Sequence, residues 1–460
     1  MSKTASATAR LLQELLRFPT VNPPGETAAL AEFLRGQFAP LGAEIDLIKA
    51  PRENGPTHFI ARLRGDGSKR PVLLAAHSDV VPVERDRWSV DPFGGVIRDG
   101  YVLGRGAMDY KGGLAVFARA VMMLAENRVP LARDVIFLSE GDEESGPHNT
   151  RWLAEQAWDR IDCEFALNEG GWIFVDGAGT PRQVNITTRD KNTIVLRLRA
   201  RGAPTHSAWP GVASRTAIGR LVTALAKLVA TEPAPMMTDL TRGYFAALSR
   251  TTEGPIAEDF HTLATSEDEE AGGAAGQRIF EMGAYPNLWH ALMRNTCSIT
   301  MLQGGIKENV IPGSAEAKLN IRLLPGQGLD DATAYVRAVI QDDTIEIDAP
   351  AFSSLDEARE NVHARTNRPA SSTDTDLYRA LKSHAERIWP QAEVTPALFE
   401  AGTDALAWRM RGVPVYGIYP YPVDNETMVR MHGNDERIGI DSLDQGTEWV
   451  YRVLVEVAGR

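Results

Sequence analysis

Residues 134–146 read DVIFLSEGDEESG, an apolar run that ends in three consecutive acids. Four apolar side chains in a row, at positions 135–138, indicate a strand buried on both faces of a helix-covered sheet. Ligands of open α/β sheets bind in the crevice beyond the carboxyl ends of the strands. The acids Asp142, Glu143 and Glu144 therefore stand where a ligand site is expected, although an isolated acidic triplet is more often a solvated turn.

Composition narrows the class of protein. The chain has 460 residues, enough for two or three domains, and its 43% hydrophobic and 24% charged content is that of an ordinary globular protein. A net charge of −12 argues against a nucleic-acid partner, because phosphate binding needs a basic face. Two cysteines provide neither a disulfide framework nor a thiolate metal cluster, which favours a cytoplasmic protein.

The sequence also predicts no membrane partner. It contains no apolar run of about 18 residues, the length that a spanning helix requires. Near the N-terminus, leucines recur at helical spacing with charged residues between them, which indicates an amphipathic helix and not a secretory signal.

A second buried strand is predicted at positions 72–76, within PVLLAAHSDVVP. It delivers His77 and Asp79 at its carboxyl end. A histidine followed two residues later by an aspartate suits a metal ligand and the carboxylate that orients its imidazole. A structural histidine with satisfied hydrogen bonds is the alternative.

The glycine-rich segment 100–113, GYVLGRGAMDYKGG, is not a dinucleotide-binding fingerprint, because Asp109 stands where the third glycine is required. The following residues favour a helix, so Asp109 lies in a tight loop at a helix start, where N-capping is the alternative role. Residues 165–171, FALNEGG, predict a strand that delivers Glu169 at its end. Residues 431–436, MHGNDE, place His432 in a polar loop after another buried strand at 413–419.

These strand ends and loops supply two histidines and several carboxylates. Such a set can hold two divalent metal ions. Mixed imidazole and carboxylate ligation favours zinc, with cobalt and manganese as alternatives.

Seven motifs now carry a family resemblance. In chain order they are HSDVVP, GRGAMDYKGG, SEGDEESG, NEGG, GAPTHSAWPG, GTDA and MHGNDE. Together they resemble the dinuclear zinc hydrolase family of aminoacylase, carboxypeptidase S, carboxypeptidase G and succinyl-diaminopimelate desuccinylase. The resemblance spans nearly the whole chain. It implies an α/β catalytic domain, with a mostly parallel central sheet flanked by helices, interrupted by a smaller α+β lid domain that often mediates dimerisation.

The resemblance also implies a role for each matched residue. The implied metal ligands are His77 and Glu169 for one ion, Glu144 and His432 for the other, and Asp109 as the bridge. Asp79 would orient His77, and Glu143 would be the general base. A cis peptide between Asp109 and Tyr110 is implied as well.

The lid domain is predicted at 188–350, between catalytic segments 1–187 and 351–460. Strands at 193–201, 296–303, 315–324 and 344–348, with helices at 216–229 and 330–340, predict a βαββαβ-like lid. The intervening residues 231–293 form a long helical insert that resembles the carboxypeptidase S branch. The arginines of TIVLRLRAR are interpreted as a solvated strand face.

The remaining site residues follow from the resemblance alone. His206 matches a lid histidine that stabilises the tetrahedral oxyanion, frequently in the active site of the partner subunit. Asn309 and Arg322 match positions that contact substrate, and their alternatives are a turn asparagine and a strand-surface arginine. Gly402 and Thr403 match a loop that lines the site near His432.

These expectations predict an amidohydrolase that cleaves a peptide or N-acyl amino acid next to a free carboxylate, acting on a small molecule or short peptide as a homodimer. An aminopeptidase with a similar metal site is the alternative enzyme, and the lid histidine and long insert argue against it. A non-catalytic, metal-stabilised binding protein is the alternative outside enzymes, and Glu143 beside a complete ligand set argues against that.

Overall fold

The computed structural model describes residues 5–460, which form two compact units. The larger unit contains the chain up to Arg189, together with Ala370–Ala397 and Thr403–Arg460. The smaller unit contains Asp190–Pro369 and Leu398–Gly402. The sequence places the end of the smaller unit at 350, but the unit continues to Pro369 because the helix Leu355–Thr366 packs two apolar side chains, Ala358 and Val362, into its core.

The helices and strands are named in chain order. The first part of the larger unit contains α1 (Ala7–Leu16), α2 (Ala28–Phe38), β1 (Glu44–Lys49), β2 (Thr57–Leu63), β3 (Val72–His77), β4 (Val96–Arg98), β5 (Tyr101–Leu103), α3 (Lys111–Glu126), β6 (Val135–Glu140), α4 (Thr150–Gln156), α5 (Trp158–Ile161), β7 (Phe165–Val175) and β8 (Pro181–Asp190). The smaller unit contains β9 (Asn192–Arg201), β10 (Thr205–His206), α6 (Ala217–Ala230), α7 (Asp239–Thr251), α8 (Pro255–Thr265), α9 (Glu269–Met282), α10 (Pro286–Leu292), β11 (Thr296–Gly304), β12 (Val310–Ile311), β13 (Ser314–Leu323), α11 (Leu329–Ile340), β14 (Glu346–Asp348) and α12 (Leu355–Thr366). The chain then continues through α13 (Asp376–Ile388), β15 (Glu393–Phe399), α14 (Leu406–Arg409), β16 (Val415–Val423), α15 (Asn425–Met428), β17 (Arg437–Gly439) and α16 (Ile440–Ala458).

The larger unit is built on a sheet of order β1-β2-β6-β3-β7-β16-β8-β15. Its centre is parallel, since β3 pairs in parallel with β6 and β7, and β7 with β16. Every residue of β3 and β6 is buried, as expected of strands covered by helices on both sides. On one face, Leu73 and Ile136 pack against Leu153 of α4 and Trp408 of α14. The predicted α/β sheet, mostly parallel and flanked by helices, is confirmed.

The strands deliver polar residues to one edge of this sheet. His77 is the last residue of β3, and the acidic triplet follows β6 after a single residue, Gly141. Glu169 departs from the prediction, because β7 runs on to Val175 and Glu169 lies inside it. Pairing of β7 with β3 stops at Leu167, so Glu169 lies just past the shared part of the two strands.

The smaller unit has an antiparallel sheet of order β11-β13-β9-β14. Its elements β9, α6, β11, β13, α11 and β14 follow one another in the βαββαβ order that the sequence predicts. Alternate residues of β9 enter the core, while its arginines face outward and pair with acids, as Arg197 does with Asp348 at 2.7 Å and Arg201 with Glu346 at 2.6 Å. The arginine-bearing face is therefore a charge-paired surface.

The residues 231–293 form helices α7 to α10. Phe260 packs against the rings of Phe245 and Trp289, which gives the insert an aromatic core. The buried Lys191 donates to the carbonyl oxygens of Ala291 at 2.9 Å and Arg294 at 2.7 Å, and so attaches the end of the insert to the start of β9. Within residues 5–460, no helix is long and apolar enough to cross a membrane.

Candidate metal centre

The first group of candidate ligands joins three chain segments of the larger unit. His77 Nε2 lies 3.2 Å from Asp109 Oδ1 and 3.5 Å from Glu169 Oε2, and all three side chains are buried. Asp109 precedes α3 in the glycine-rich loop, and its peptide bond to Tyr110 is cis, as the resemblance implies.

The second group shares Asp109. His432 Nε2 lies 2.9 Å from Asp109 Oδ2 and 3.4 Å from Glu144 Oε1. The two oxygens of Asp109 thus face different histidines. A carboxylate in this position can bridge two cations, one held with each group.

The carboxylate of Asp79 stabilises the acidic loop after β6 by hydrogen bonds to its backbone. The buried Asp79 carboxylate accepts hydrogen bonds from the backbone N–H of Glu143 at 3.3 Å and of Glu144 at 3.0 Å, and from Asn22 Nδ2 at 2.8 Å. It also lies 3.6 Å from His77 Nδ1, whose closest oxygen is the Asp79 carbonyl at 3.0 Å. Asp79 therefore contacts His77 and hydrogen-bonds the loop that carries both glutamates.

Asp142, the first acid of the triplet, has a structural role. Asp142 is fully buried and accepts from Asn22 Nδ2 and from the backbone N–H of His148, each at 2.8 Å. A side chain at Gly146 would lie 1.7 Å from an oxygen of Asp142, so the close turn of the loop requires glycine there. Asp142 therefore stabilises the fold of the loop. Glu143 and Glu144 are the two acids of the triplet that can bind metal or take part in catalysis.

Burial and neighbouring charge set the pKa values of the group. Burial raises the pKa of Glu169 to about 8 despite His77, and burial with the charge of Glu169 raises the pKa of Glu143 well above its usual range. The carboxylates of Asp109 and Glu144 raise the pKa of His432 to about 10. Burial disfavours charge on Asp109, but His432 and His77 outweigh it and hold the pKa of that carboxyl well below its usual range.

The donor set fits divalent cations. Each group offers one imidazole nitrogen and two carboxylate oxygens whose ligand atoms lie within 4.8 Å of one another. Glu144 Oε1 is buried and accepts no well-formed hydrogen bond within residues 5–460, although His432 Nε2 lies 3.4 Å away. A buried carboxylate oxygen without a donor is costly unless a cation compensates it, and His with Asp or Glu is a ligand set that zinc accepts.

The remaining predicted residues lie in or beside the smaller unit. His206 of β10 is exposed, and the next residue, Ser207, donates its N–H to the carbonyl oxygen of Asn309 at 3.1 Å, so these two predicted residues are close neighbours. Arg322 of β13 donates to Thr193 Oγ1 at 2.6 Å.

The loop GTDA divides between the units. Gly402 belongs to the smaller unit and adjoins Arg322, since a side chain at Gly402 would lie 3.9 Å from Arg322 Nη1. Thr403 belongs to the larger unit, and its hydroxyl accepts from the N–H of Ala405 at 3.2 Å.

The structure also shows supporting residues that the sequence analysis does not identify. Tyr419 of β16 donates its hydroxyl to Asp109 Oδ1 at 3.2 Å. Asn22 joins Asp79 to Asp142, and Glu436 accepts from the N–H of Asp109 at 3.0 Å. The sequence carried a signal for two of them. Tyr419 lies in a predicted buried strand, where its hydroxyl needs a hydrogen-bond partner, and Glu436 is the acid that ends the motif MHGNDE.

A cluster of buried titratable residues, His58, Glu140 and Asp404, lies near the acidic loop. His58 and Glu140 are fully buried, with His58 Nδ1 3.8 Å from Glu140 Oε1. Neither His58 ring nitrogen makes a well-formed hydrogen bond within residues 5–460, although the backbone of His148 is close enough to oppose the lowering of its pKa. Burial lowers the pKa of His58 to about 4 and raises the pKa of Glu140 well above its usual range. Burial also raises the pKa of the nearby Asp404 to about 6.

The fold and the two ligand groups point to a metal-dependent hydrolase. The pattern of the peptidase family M20/M25/M40 matches residues 73–456, and the chain belongs to this family. The family membership predicted from the seven motifs is confirmed.

Individual relatives agree with this assignment. The chain is 31% identical over 398 residues to the "Probable carboxypeptidase S-like 2" of Dictyostelium discoideum, covering 85% of this chain and 72% of that one. It is 26% identical over 458 residues to the Homo sapiens "N-fatty-acyl-amino acid synthase/hydrolase PM20D1", covering 96% and 86%. Among solved structures, the M20 metallo-carboxypeptidase Sso-CP2 of Sulfolobus solfataricus shares the fold, with a TM-score of 0.70 at 19% identity over 98% of this chain and 99% of that one.

The buried His58 makes stability depend on pH. Its pKa is 6.5 in the unfolded chain and about 4 in the folded protein. Between these values the unfolded chain binds a proton that the folded protein excludes, so the free energy of unfolding falls as pH falls. We expect the titration of His58 to lower the free energy of unfolding by about 2 kcal/mol between pH 7 and pH 5. In the His58→Gln variant position 58 cannot titrate, so its free energy of unfolding should fall by about that much less between the same two pH values.

Urea unfolding at both pH values, with a chelator present to remove metal effects, measures the difference. His261→Gln is the matched control, since His261 is exposed. It should keep the native pH dependence. Equal losses in native protein and His58→Gln would contradict the assignment.

Proposed function

We propose that this protein is a two-metal hydrolase that cleaves the amide bond of a peptide or N-acyl amino acid bearing a free carboxylate. The observation that carries the proposal is the pair of ligand groups sharing Asp109, with Glu143 next to the ligand Glu144. Adjacent glutamates on one fixed loop can direct one carboxylate to metal and the other to water.

The proposed roles follow from chemistry. Two divalent ions, when bound, would lower the pKa of a water and polarise the scissile carbonyl. Glu143 takes the proton from that water and passes it to the leaving nitrogen. Burial and the charge of Glu169 raise the pKa of Glu143, which makes its carboxylate a stronger proton acceptor. Asp79 keeps the Nε2 of His77 directed at metal, because the Nδ1 side faces Asp79.

The proposed metal is zinc, with cobalt and manganese as alternatives, since histidine and carboxylate ligands suit all three. The substrate class draws on the relatives, which carry the names carboxypeptidase S-like and N-fatty-acyl-amino acid synthase/hydrolase. Both names denote substrates with an amide next to a carboxylate. The scarcity of cysteine supports a cytoplasmic location for the reaction.

The remaining proposed roles belong to residues in or beside the smaller unit. Arg322 is proposed to bind the substrate carboxylate and Asn309 to contact substrate. Gly402 and Thr403 are proposed to line the site near His432. His206 is proposed to stabilise the oxyanion. Its exposed side chain, on the two-residue strand β10, is consistent with contact to another molecule.

A homodimer through the smaller unit is supported by its exposed apolar edge. The strand β11 lies at the edge of its sheet, and Met301 and Leu302 are 46% and 61% exposed. Beside it, Ile218 and Val222 of α6 are 38% and 52% exposed. An apolar edge strand invites pairing with a second chain, and a neighbouring apolar helix face extends the same surface.

The first test separates the two glutamates. Glu143→Gln should retain both metals and lose turnover by roughly 10²–10⁴-fold, because it removes the proton acceptor. Glu144→Ala should lose metal, because it removes a ligand. A panel of N-acyl amino acids and dipeptides, with metal content measured on the same samples, tests both variants. Near-native turnover by Glu143→Gln would exclude it as the base.

The second test concerns substrate charge. Substrates with a free α-carboxylate should be cleaved, and their amidated counterparts should not. Arg322→Lys should erase most of this preference, about 10–150-fold in kcat/KM, because lysine cannot reproduce a bidentate contact. Arg199→Lys, on the charge-paired face of β9, is the control and should change little. Equal cleavage of free and amidated substrates by the native enzyme would favour an aminopeptidase.

The third test concerns the dimer. If His206 acts in the partner's site, an equal mixture of refolded His206→Ala and Glu143→Ala chains should recover about a quarter of native activity. Half of the dimers would then be mixed, and each would hold one intact site. A mixture of the double variant with Glu143→Ala is the control, because no intact site can form. Silence from a verified heterodimer would place His206 in its own chain or outside catalysis.

A further inference from the structure

A buried carboxylate outside the ligand groups organises the loop that carries Asp109. Glu436 is fully buried, and its Oε1 accepts from the backbone N–H of Met108 at 2.8 Å and of Asp109 at 3.0 Å. Its Oε2 accepts from the N–H of Gly106 at 3.1 Å and from Arg105 Nη1 at 2.6 Å. One side chain thus holds the loop by three backbone groups.

Its partner reaches the other ligand segment. Arg105 is buried, and its Nη2 donates to the carbonyl oxygen of His432 at 3.1 Å and towards that of Pro82 at 3.4 Å. The guanidinium also lies over the ring of Trp88, 5.3 Å from the centroid. The Arg105–Glu436 ion pair therefore joins the backbone at Asp109 to the backbone at His432.

The same two segments meet at a small sheet. The strand β17 begins one residue after Glu436 and pairs with β5, and the N–H of Gly104 donates to the Glu436 carbonyl at 3.0 Å. Strand pairing fixes one end of this junction, and the ion pair fixes the end nearest Asp109 and His432.

We propose that the Arg105–Glu436 pair is a positioning device that sets the metal affinity of the position formed by Asp109, Glu144 and His432. The inference rests on the proposed function, since it takes these residues as metal ligands. It assigns neither Arg105 nor Glu436 a contact with metal or substrate.

We expect the ion pair to affect metal binding at the His432 position more than at the His77 position, because different contacts hold the two sets of ligands. His77 ends β3 and Glu169 lies within β7, and these strands pair directly up to Leu74 and Leu167, a few residues before the two ligands. His432 belongs to no strand and has a positive φ of 59°, so its place depends on contacts of its loop. Asp109 belongs to both positions, so the difference between them comes from His432, whose carbonyl oxygen accepts from Arg105. Loosening the ion pair should therefore affect the His432 position more than the His77 position.

The test is metal titration of the metal-free protein. Native protein, Glu436→Gln and His432→Ala are stripped with a chelator and titrated with Zn²⁺ by calorimetry. In Glu436→Gln the new amide N–H₂ replaces an acceptor, so it faces the N–H of Gly106 or Arg105, donor against donor. His432→Ala marks the signature of losing the second position.

The control is another buried carboxylate of similar connectivity. Asp134 accepts from the N–H of Gly65 at 2.9 Å and from Arg62 and Arg64 at 3.0 and 2.8 Å. It precedes β6, at the opposite end of that strand from the acidic loop. Asp134→Asn should bind both equivalents of zinc like the native protein.

We expect Glu436→Gln to weaken the second equivalent by about 10–100-fold, as for residues that orient metal ligands, and the first by less than about threefold. Unchanged binding of both equivalents, or equal weakening of both, would overturn the proposal. If circular dichroism shows that Glu436→Gln is unfolded, the double variant Arg105→Met with Glu436→Gln is titrated instead. It leaves no buried unpaired charge, and the same changes in the first and second zinc equivalents are expected of it. Failure of the native protein to bind two equivalents would instead contradict the proposed function.

Discussion

The arrangement of the metal centre depends on the buried carboxylate of Asp79. It faces one histidine ligand and accepts the backbone N–H groups of both glutamates in the acidic loop. A buried carboxylate needs such donors, because an unpaired charge in the interior is very costly. The requirement to satisfy Asp79 is thus what ties the end of β3 to the loop after β6. Glu143 and Glu144, the proposed base and the proposed ligand, are thus placed by the hydrogen-bonding demand of a third carboxylate.

Much of this site was predictable from the sequence because it lies at strand ends. Runs of apolar residues locate β3 and β6, and parallel strands bring their carboxyl ends to one edge, so His77 and the acidic triplet had to meet. Periodicity also located β9, α6 and α11 of the smaller unit. The roles of individual acids came from the family resemblance, since spacing alone does not distinguish Asp142, which folds the loop, from Glu144.

The unpredicted part depends on contacts between distant segments. Glu436 and Arg105 are separated by most of the chain, and no local pattern links them. Glu169 was expected at a strand end, but β7 continues beyond it because β16 and β8 pair with its later residues. The end of the smaller unit was placed too early because α12 is largely polar, and only its few buried residues show where it packs.

The strand order has a consequence for synthesis on the ribosome. The central strand β16 lies between β7 and β8, yet it is made only after the entire smaller unit. During that interval, on the order of tens of seconds, a nascent chain holds β3, β6 and β7 without the neighbour that completes their sheet. The smaller unit, whose strands and helices are nearly contiguous, can fold while it waits. Exposed parallel strands in this interval are the part of the molecule that chaperones would have to shield.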